Sequence, residues 1–290
     1  MHKSFPAAEL AGALGSRPVR WDEIVGGGYT RNTQRWRVEL EDGRSIFVKL
    51  ALDDLAAGWL RDERRVYAAV EAEFLARFLG WYDHEVTFLV LEDLAGAHWP
   101  PPWRAGDVDA AHAALDAIHA TAPPSGLPAL EGLRDRLNGW VDVAADPEPF
   151  LSTGLCSAAW LEAALPVLEE AAASCGLGGD TFLHLDFRSD NLCLAGARVV
   201  VVDWNHACVG NGELDLAAWL PSLRLEGGPE PWELMPESNG LAALLAGFFA
   251  ARAGLPPPPT AAPRVRDFQR RQAEVALPWA ARELGLTLPS

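Results

Sequence analysis

Hydrophobic and polar residues alternate in several short segments of the first third of the chain, a pattern typical of strands with one buried face. Alternation in residues 35–40 (RWRVEL) and 45–50 (SIFVKL) predicts two strands, and the Glu-Asp-Gly sequence between them is a hairpin signal. Residues 80–85 (GWYDHE) and 87–92 (TFLVLE) predict two more strands. Together these segments predict a small antiparallel sheet.

Helical periodicity predicts most of the other elements. Residues 5–15 and roughly 53–79 are predicted to be helical, the second being the main helix packed on the sheet. Three prolines in residues 95–103 (AGAHWPPPW) interrupt the pattern, and we place a lobe boundary there, between residues 1–94 and 95–290. The second lobe is predicted to be mainly helical, with helices at 108–120, 130–143 and 157–175, the last kinked or bounded at Pro166.

Composition narrows the possible functions. The chain has 290 residues, 49% of them hydrophobic, and a net charge of −16, which disfavours nucleic acid and suits a cationic second substrate. No run of eighteen apolar residues lacks a charge, and the amphipathic start is unlike a signal peptide, so no membrane span is expected. Four cysteines without a CxxC pair are typical of buried, reduced thiols in a cytoplasmic protein.

A strand–loop–strand segment carries the densest candidate chemistry. Asp186 and Asn191 are five residues apart between short apolar segments, and Asp203 ends a run of four valines. If Leu183 and Leu192 continue the ladders of one hairpin, the two carboxylates and the amide lie close together. Phosphoryl transfer uses such a set: one carboxylate receives the proton of the acceptor hydroxyl, and the other binds Mg²⁺ together with the amide oxygen.

Lys49 is a further candidate because the chain uses Arg heavily and has only one other lysine, Lys3. Lys49 lies inside the apolar segment SIFVKLAL, where an ammonium group needs a partner. A compact point charge bound to a phosphate is a task that suits lysine better than arginine. Gly26, Gly27 and Gly28 precede it and would let backbone N–H groups approach phosphates closely. No GxxxxGK[ST] motif is present, so a P-loop enzyme is not predicted.

Taken as a set, these motifs resemble the signature of the aminoglycoside phosphotransferase family, which is related to choline kinases. The matching segments, spread over roughly residues 20–220, are AALDAIHATAPP, His184-Leu185-Asp186 with Asn191, Val202-Asp203-Trp204 and GNGELDLA. The resemblance implies Asp186 as catalytic base and Asn191 and Asp203 as magnesium ligands. The residues expected to support the catalytic loop are His184, Arg188 and Asp215.

The resemblance extends to the first lobe. It implies that Lys49 binds phosphate and that Glu63 on the main helix is its ion-pair partner, with Glu71 and Glu73 as less well placed alternatives. Glu92 to Leu94 resemble the hinge whose backbone reads adenine. The implied fold is α+β and bilobal, like that of protein kinases, with a small N-lobe and a larger helical C-lobe. ATP, with GTP left open, and Mg²⁺ would bind between the lobes.

Three departures from related patterns are visible. Leu185 stands where the family has a small glycine between the histidine and the aspartate, and this could shift the packing of the loop. The glycine-rich turn does not follow the GxGxxG spacing of protein kinases. Only eleven residues separate Asp203 from Asp215, which leaves no room for a regulated activation segment. A protein kinase is therefore not expected.

Two other functions stay open at this point. A metallohydrolase built from His184, Asp186, Asp203 and His206 would bind zinc or manganese, but it leaves Lys49 unexplained. A nucleotide-binding pseudokinase would typically lack the base or a metal ligand, and none is missing here. A Rossmann dehydrogenase is not expected, because no GxGxxG turn precedes the valine-rich strand.

The acceptor has no motif of its own. The family phosphorylates aminoglycosides, macrolides, choline and other alcohols or amines. The acid-rich composition favours a cationic acceptor, such as an aminoglycoside. The sequence carries no signal of oligomeric state.

Overall fold

The computed structural model describes residues 4–26, 28 and 30–289, so the predicted phosphate-loop residue Gly27 lies outside the described residues. A five-stranded antiparallel sheet and its helices form the N-terminal part, and a mainly helical part follows. This is the bilobal α+β architecture that the sequence predicts. The N-terminal elements are α1 (Ala7–Leu14), β1 (Pro18–Glu23), β2 (Thr33–Leu40), β3 (Ser45–Ala51), α2 (Asp54–Ala69), β4 (Phe78–Asp83) and β5 (Thr87–Glu92).

The sheet has the strand order β1-β2-β3-β5-β4, and its register decides which side chains face the C-terminal part. Ile46 and Val48 of β3 are fully buried against α1, where they pack with Leu10. Successive strand residues point to opposite faces, so Phe47 and Lys49 face the other way and line a cleft. The four predicted strands are confirmed, whereas β1, largely exposed, was not predicted.

Helix α2 is shorter than the periodicity predicts. It begins after Asp53, whose side chain accepts the N–H of Ala56 at 2.9 Å, and it ends at Ala69 instead of near residue 79. Phe74 and Leu75, which continue the apolar pattern, are buried in a turn and an isolated β-bridge instead. The carbonyl of Phe74 accepts the N–H of Val201 at 2.7 Å, so this segment packs against a strand of the C-terminal part. A long-range contact overrides the local helical signal here.

The C-terminal part consists of helices around two short strand pairs. Its helices are α3 (Asp107–His119), α4 (Arg134–Leu137), α5 (Trp140–Ala145), α6 (Glu148–Leu151), α7 (Ala158–Ser174), α8 (Glu213–Leu225), α9 (Pro231–Leu234), α10 (Leu241–Ala253) and α11 (Val265–Glu283). Its strands are β6 (Thr181–Leu183), β7 (Leu192–Ala195), β8 (Arg198–Val201) and β9 (Cys208–Gly210).

The strands around the candidate loop do not pair as predicted. Leu183 of β6 is opposite Cys208 of β9, and Leu192 of β7 is opposite Val201 of β8, so the Leu183 and Leu192 strands belong to different sheets. The local hairpin is β7–β8, which turns at Gly196. The candidate loop therefore connects two small sheets, and Asp203 still returns beside it because β8 runs back along β7.

The predicted helix 130–143 is broken. A 3₁₀ turn and α4 are followed by a break at Asn138 and Gly139, and α5 begins at Trp140. A Cβ atom on Gly139 would lie 2.1 Å from the carbonyl oxygen of Gly247, so the chain breaks where it crosses α10 at very close range. Helix α7, by contrast, continues through Pro166.

All four cysteines are free and buried, as the sequence predicts. Among the helices in the described ranges, none combines the length and apolar character that crossing a bilayer requires.

Candidate active site

A cavity of about 580 Å³ lies between the sheet and the C-terminal part. Its lining contains most of the residues that the sequence singled out, namely Gly28, Lys49, Glu63, Glu92, Leu94, Asp186, Arg188, Asn191 and Asp203. The other described candidates, Gly26, His184 and Asp215, lie outside this lining. The cleft therefore joins residues from the sheet, α2 and the β6–β7 loop.

Lys49 stands between two carboxylates at the back of the cleft. Its Nζ lies 2.8 Å from Glu63 Oε2, and it also forms a close ion pair with Asp203. The glutamate chosen from the sequence is thus the one that contacts Lys49. The backbone N–H of Asp203 donates to Glu63 Oε1 at 3.3 Å, which closes the group of three.

Burial and charge act in opposite directions on this group. Burial opposes the charge of Lys49, but Asp203 and Glu63 outweigh it and raise the pKa of Lys49. Burial also disfavours ionisation of Asp203, but the neighbouring ammonium prevails and holds its pKa well below the usual range. Burial raises the pKa of Glu63, whose side chain is 1% exposed. Lys49 and Asp203 therefore remain charged at neutral pH.

Asp215 anchors the loop that carries Asp186. The fully buried Asp215 carboxylate accepts the backbone N–H of His184 at 2.8 Å and that of Leu185 at 2.6 Å. Nε2 of His119, at the end of α3, lies 3.3 Å from Asp215 Oδ2. Two strong, charge-assisted hydrogen bonds thus fix the loop just before Asp186.

Leu185 has φ of 62°, in the left-handed region that glycine enters without steric cost. This conformation explains why a glycine suits the position. The backbone N–H of Leu185 donates to Asp215 in this conformation. Asp203 also has a positive φ, of 70°, immediately after β8. Strained backbone at two candidate positions is typical of functional sites.

His184 serves the loop in its neutral form. Its Nδ1 accepts the N–H of Asp186 at 3.2 Å, and its Nε2–H donates to the carbonyl of Val202 at 2.9 Å. One neutral tautomer satisfies both bonds, and a second ring proton would face the N–H of Asp186. Burial lowers the pKa of His184, in agreement with this arrangement. His184 therefore links the Asp186 loop to the strand before Asp203.

Two donors orient the Asp186 carboxylate. Asn191 Nδ2 donates to Asp186 Oδ2 and to its backbone carbonyl, both at 2.9 Å. Arg188 Nε donates to Asp186 Oδ1 at 2.8 Å, and Arg188 also pairs with Asp190. Because Asn191 commits its amide nitrogen, its Oδ1 is the atom left for a metal ion. The Asp186 side chain keeps 32% of its surface exposed, so an acceptor can reach it.

The glycine-rich turn is held against the C-terminal part. Arg264 Nη2 donates to the carbonyl oxygens of Gly26 and Gly28, at 2.9 and 2.8 Å. Gly28 has φ of +73°, and a Cβ atom there would lie 2.5 Å from Arg35 Nη2. The positive φ therefore favours glycine at position 28, whereas the guanidinium is the end of a flexible side chain that can move aside.

The predicted hinge borders the cleft, but the side chain of Glu92 is already engaged. Its carboxylate accepts the N–H and Nε of Arg77 and lies 3.2 Å from Arg198 Nη2. The Leu94 carbonyl accepts the indole N–H of Trp99 at 3.1 Å. The carboxylate of Glu92 thus has a structural role, and a nucleotide would meet this segment through its backbone.

Three residues near the site were not found from the sequence. Arg35 lies opposite Lys49 on β2 and lines the cleft, which the hairpin register alone could have indicated. His119 is inside a motif that the sequence singled out, but its partner Asp215 is 96 residues away. Arg264 is 236 residues from Gly28, and no local pattern predicts that contact.

A family model described as "Phosphotransferase enzyme family" matches residues 23–258, which is most of the chain and includes the whole cleft. The chain belongs to this phosphotransferase family. A search of curated protein sequences gave no significant match.

Solved structures agree on the fold of this phosphotransferase family member. An aminoglycoside phosphotransferase from Alicyclobacillus acidocaldarius superposes with a TM-score of 0.60 at 17% identity, covering 98% of this chain and 96% of that one. A choline/ethanolamine kinase family protein from Mesorhizobium loti gives 0.59 at 16%, covering 92% and 91%. The choline kinase LicA from Streptococcus pneumoniae gives 0.57 at 14%, covering 92% and 94%. At these identities the likeness establishes the kinase-like fold.

The metallohydrolase alternative finds no support in the geometry. Within residues 4–26, 28 and 30–289, no group of three or more His, Cys, Asp or Glu side chains could hold a metal ion. Hydrolytic zinc sites typically use three protein ligands. His206 is exposed, whereas His184 is buried with both ring nitrogens hydrogen-bonded.

Proposed function

We propose that this protein transfers the γ-phosphate of ATP to a hydroxyl group of a small molecule. The observation that carries the proposal is the convergence of Lys49, Asn191, Asp203 and Asp186 on one cleft. A cation, two oxygen ligands for a metal and a carboxylate for the hydroxyl proton are the groups this reaction needs. Membership of the phosphotransferase family supports the same reaction class.

Asp186 would accept the hydroxyl proton as the acceptor oxygen bonds to the γ-phosphorus and ADP leaves. Its carboxylate is partly exposed and held in one orientation by Arg188 and Asn191, so it is positioned before the acceptor arrives. Positioning of this kind supplies much of the rate in phosphoryl transfer.

Asn191 Oδ1 and the Asp203 carboxylate would hold Mg²⁺. Their donor set is oxygen only, which fits this ion, and Mg²⁺ usually keeps water and phosphate oxygens as its other ligands. When bound, the ion would neutralise phosphate charge. Lys49 would add its ammonium to the phosphates, with Glu63 keeping it in place. ATP is the expected nucleotide, with GTP left open.

The apolar part of the cleft suits a purine. Phe47 and Leu91 lie opposite each other on β3 and β5, and Val202 faces them from the C-terminal part in the same lining. The Glu92–Leu94 backbone borders this apolar surface, as a hinge should. Among the structural neighbours, the amicoumacin kinase hAmiN was solved with AMP-PNP and Ca²⁺, which supports nucleotide and divalent-metal use in this fold.

The boundary between the proposed lobes, after residue 94, follows from the end of β5 at Glu92. We also propose a cytoplasmic setting, where four free and buried thiols stay reduced. A pseudokinase is the second candidate. We favour turnover because the proposed base and the proposed metal ligands, Asp186, Asn191 and Asp203, line one cleft.

The test is ADP formation from ATP and Mg²⁺ with a panel of acceptors, comparing the wild type with Asp186→Asn and Asp180→Asn. Asp180 is an exposed aspartate before β6 and serves as a matched control. We expect acceptor-dependent turnover that Asp186→Asn lowers by about two orders of magnitude or more, with ATP binding retained. Full turnover in Asp186→Asn would remove Asp186 as the base, and absence of nucleotide binding by the wild type would overturn the proposal.

A further inference from the structure

A second cavity, of about 590 Å³, lies beside the nucleotide cleft, lined mainly by the C-terminal part and also by residues of α2. The two cavities share Trp59, Asp186, Arg188, Asn205 and His206 in their linings. The proposed base thus stands where they meet. If the first cavity holds the nucleotide, the second is the place for the acceptor. This assignment of the second cavity rests on the proposed function.

The wall of the second cavity is largely apolar. Helices α4, α8, α10 and α11 contribute to this surface together with α2, the 3₁₀ turn before α4 and the segment around Asp186. The side chains that form it include Leu133, Leu137, Leu245, Phe248, Phe249 and Phe268. Such a surface favours an acceptor with a substantial hydrocarbon body, since apolar contact contributes free energy roughly in proportion to buried area. A polyhydroxylated, highly solvated molecule would gain little from it.

The charge of this cavity is opposite to that of the whole protein. The chain has 40 acidic and 24 basic residues, yet the lining contains four arginines and only two aspartates. Two of the arginines are neutralised, because Arg188 pairs with Asp186 and Arg65 with Asp62. The remaining two are Arg136 and Arg252. A site for a polycation would need the reverse balance.

Arg252 is the more buried of these two arginines. Its Nη1 donates to the Phe248 carbonyl at 2.8 Å, and its Nη2 donates to the Arg136 carbonyl at 2.9 Å. The guanidinium also lies 3.9 Å from the centre of the Phe248 ring. In the part of the chain that the structure describes, neither Arg252 nor Arg136 forms an ion pair with a carboxylate.

The electrostatic surroundings of Arg252 leave room for an anion. Burial lowers the pKa of Arg252; Arg266 and Arg136 lower it further, and Asp142 opposes them without an ion pair. A partly buried guanidinium without a carboxylate partner is stabilised when an anion reaches it. Arg136 is exposed and lines the same cavity, so its side chain can turn toward the same anion.

One more polar atom in the lining lacks a partner. Gln272 is 1% exposed; its Nε2 donates to Ser222 Oγ at 3.0 Å, but its Oε1 receives no donor from the described residues. A hydroxyl or amide hydrogen of a bound acceptor would satisfy it.

We infer that the acceptor is an amphipathic alcohol that carries an anionic group, bound by Arg136 and Arg252, with its hydrocarbon body on the apolar wall and its hydroxyl at Asp186. This proposal differs from the cationic acceptor that the overall composition favours. The net charge of the chain is spread over its surface, whereas the acceptor meets only the lining of one cavity.

The test uses three probes that differ in one end group, ω-hydroxydecanoate, its methyl ester and ω-aminodecanol, together with one aminoglycoside. Binding is measured by calorimetry without nucleotide at neutral pH. We expect the acid to bind about tenfold tighter than the ester or the amine, since hydrogen bonds to charged groups are the strong ones. Equal binding of the three, tighter binding of the amine or the aminoglycoside, or no binding of the acid would overturn the inference.

Variants then assign the anion site. Arg136→Ala should abolish most of the preference for the acid over the ester, and it should leave binding of the ester unchanged. Arg20→Ala, at an exposed arginine on β1, is the matched control and should keep the preference. Arg252→Gln, which can still donate to a carbonyl, should weaken acid binding further. Unchanged preference in the folded Arg136→Ala and Arg252→Gln proteins would contradict the assignment.

The two proposals fail separately. Asp186-dependent turnover with a polycation, and no preference for the acid, would keep the phosphotransferase and overturn the anionic acceptor. Tight, Arg136-dependent binding of the acid by a wild-type protein that binds no nucleotide would keep the anion site and overturn the phosphotransferase.

Discussion

Asp215 Oδ1 accepts the backbone N–H of Leu185 at 2.6 Å across 30 residues of chain. The same carboxylate accepts the N–H of His184, so one fully buried aspartate on α8 holds the segment that leads into Asp186. A helix of the C-terminal part therefore determines where the proposed base stands. The stability of this loop should accordingly depend on Asp215.

Replacing Asp215 by Asn should weaken the loop, because the amide can accept from one of the two N–H groups but presents its own hydrogens to the other. We expect a loss of about 1.5–3 kcal/mol in the free energy of unfolding, measured by urea titration. Turnover should fall about tenfold or more, since ~1.4 kcal/mol of lost positioning has that effect. Glu213→Gln, at an exposed glutamate of the same helix, should change neither quantity.

Removing Lys49 should cost more stability than removing Glu63. Lys49→Met leaves the carboxylates of Glu63 and Asp203 together without a cation, and breaking a buried pair in this way costs about 3–5 kcal/mol. Glu63→Gln leaves Asp203 opposite Lys49 and should cost clearly less. Chemical unfolding of both variants at neutral pH measures the difference, and equal losses would contradict the assigned charges.

Stability should fall in mild acid because of His184. Its pKa is lowered by burial, so below the ordinary value of about 6.5 the unfolded chain binds a proton that the folded protein does not. The free energy of unfolding therefore increases with pH up to about 6.5, the ordinary pKa of histidine. As pH falls below that value, this contribution to stability decreases. The loss attributable to one group is at most about 1.4 kcal/mol per pH unit.

The measurement is the difference in unfolding free energy between pH 7.5 and 5.5 for the wild type and His184→Gln. The variant should be less stable throughout but less sensitive to this change of pH. His84→Gln, at an exposed histidine after β4, is the control and should keep the slope of the wild type. If the unfolding free energy of His184→Gln depends on pH as strongly as that of the wild type, groups other than His184 cause the effect.

Leu185→Ile should disturb the loop although it conserves volume. A β-branched side chain is much less compatible with the left-handed φ of 62° than leucine is. We expect a loss of about 1–2 kcal/mol in unfolding free energy, comparable to the cost of that backbone region, together with lower turnover. Leu194→Ile, at a half-buried leucine in strand β7, is the control and should have little effect. Similar losses of unfolding free energy in both variants would indicate that side-chain packing, and not the backbone φ of residue 185, causes the effect.

Much of the fold could be predicted because its signals are local. Alternation in residues 35–40 and 45–50 predicted strands that the structure contains, and the hairpin between them put Lys49 on the face opposite Ile46 and Val48. The candidate loop and Asp203 were also found from short spacings, and the structure brings them to one cleft. Their roles in phosphoryl transfer remain our proposal.

Other features depended on contacts that the sequence does not show. Helix α2 ends at Ala69 because the apolar residues after it pack on a strand 125 or more residues later, as the Arg198 contact with Glu73 illustrates. The partners of His119 and Arg264 are likewise distant in the chain. Apolar spacing reports that a residue will be buried, but not which element will cover it.

The sequence by itself determined the order of the main elements, the positions of the charged candidates and the family they resemble, because backbone periodicity and motif spacing are properties of short segments. Only the tertiary structure decided which strands pair around Asp186 and which charges line the second cavity. A net charge of −16 describes the whole surface, yet folding selected Arg136 and Arg252 for one cavity wall. The charge of one cavity therefore depends on how helices that are distant in sequence pack together. The net charge of the chain does not determine it.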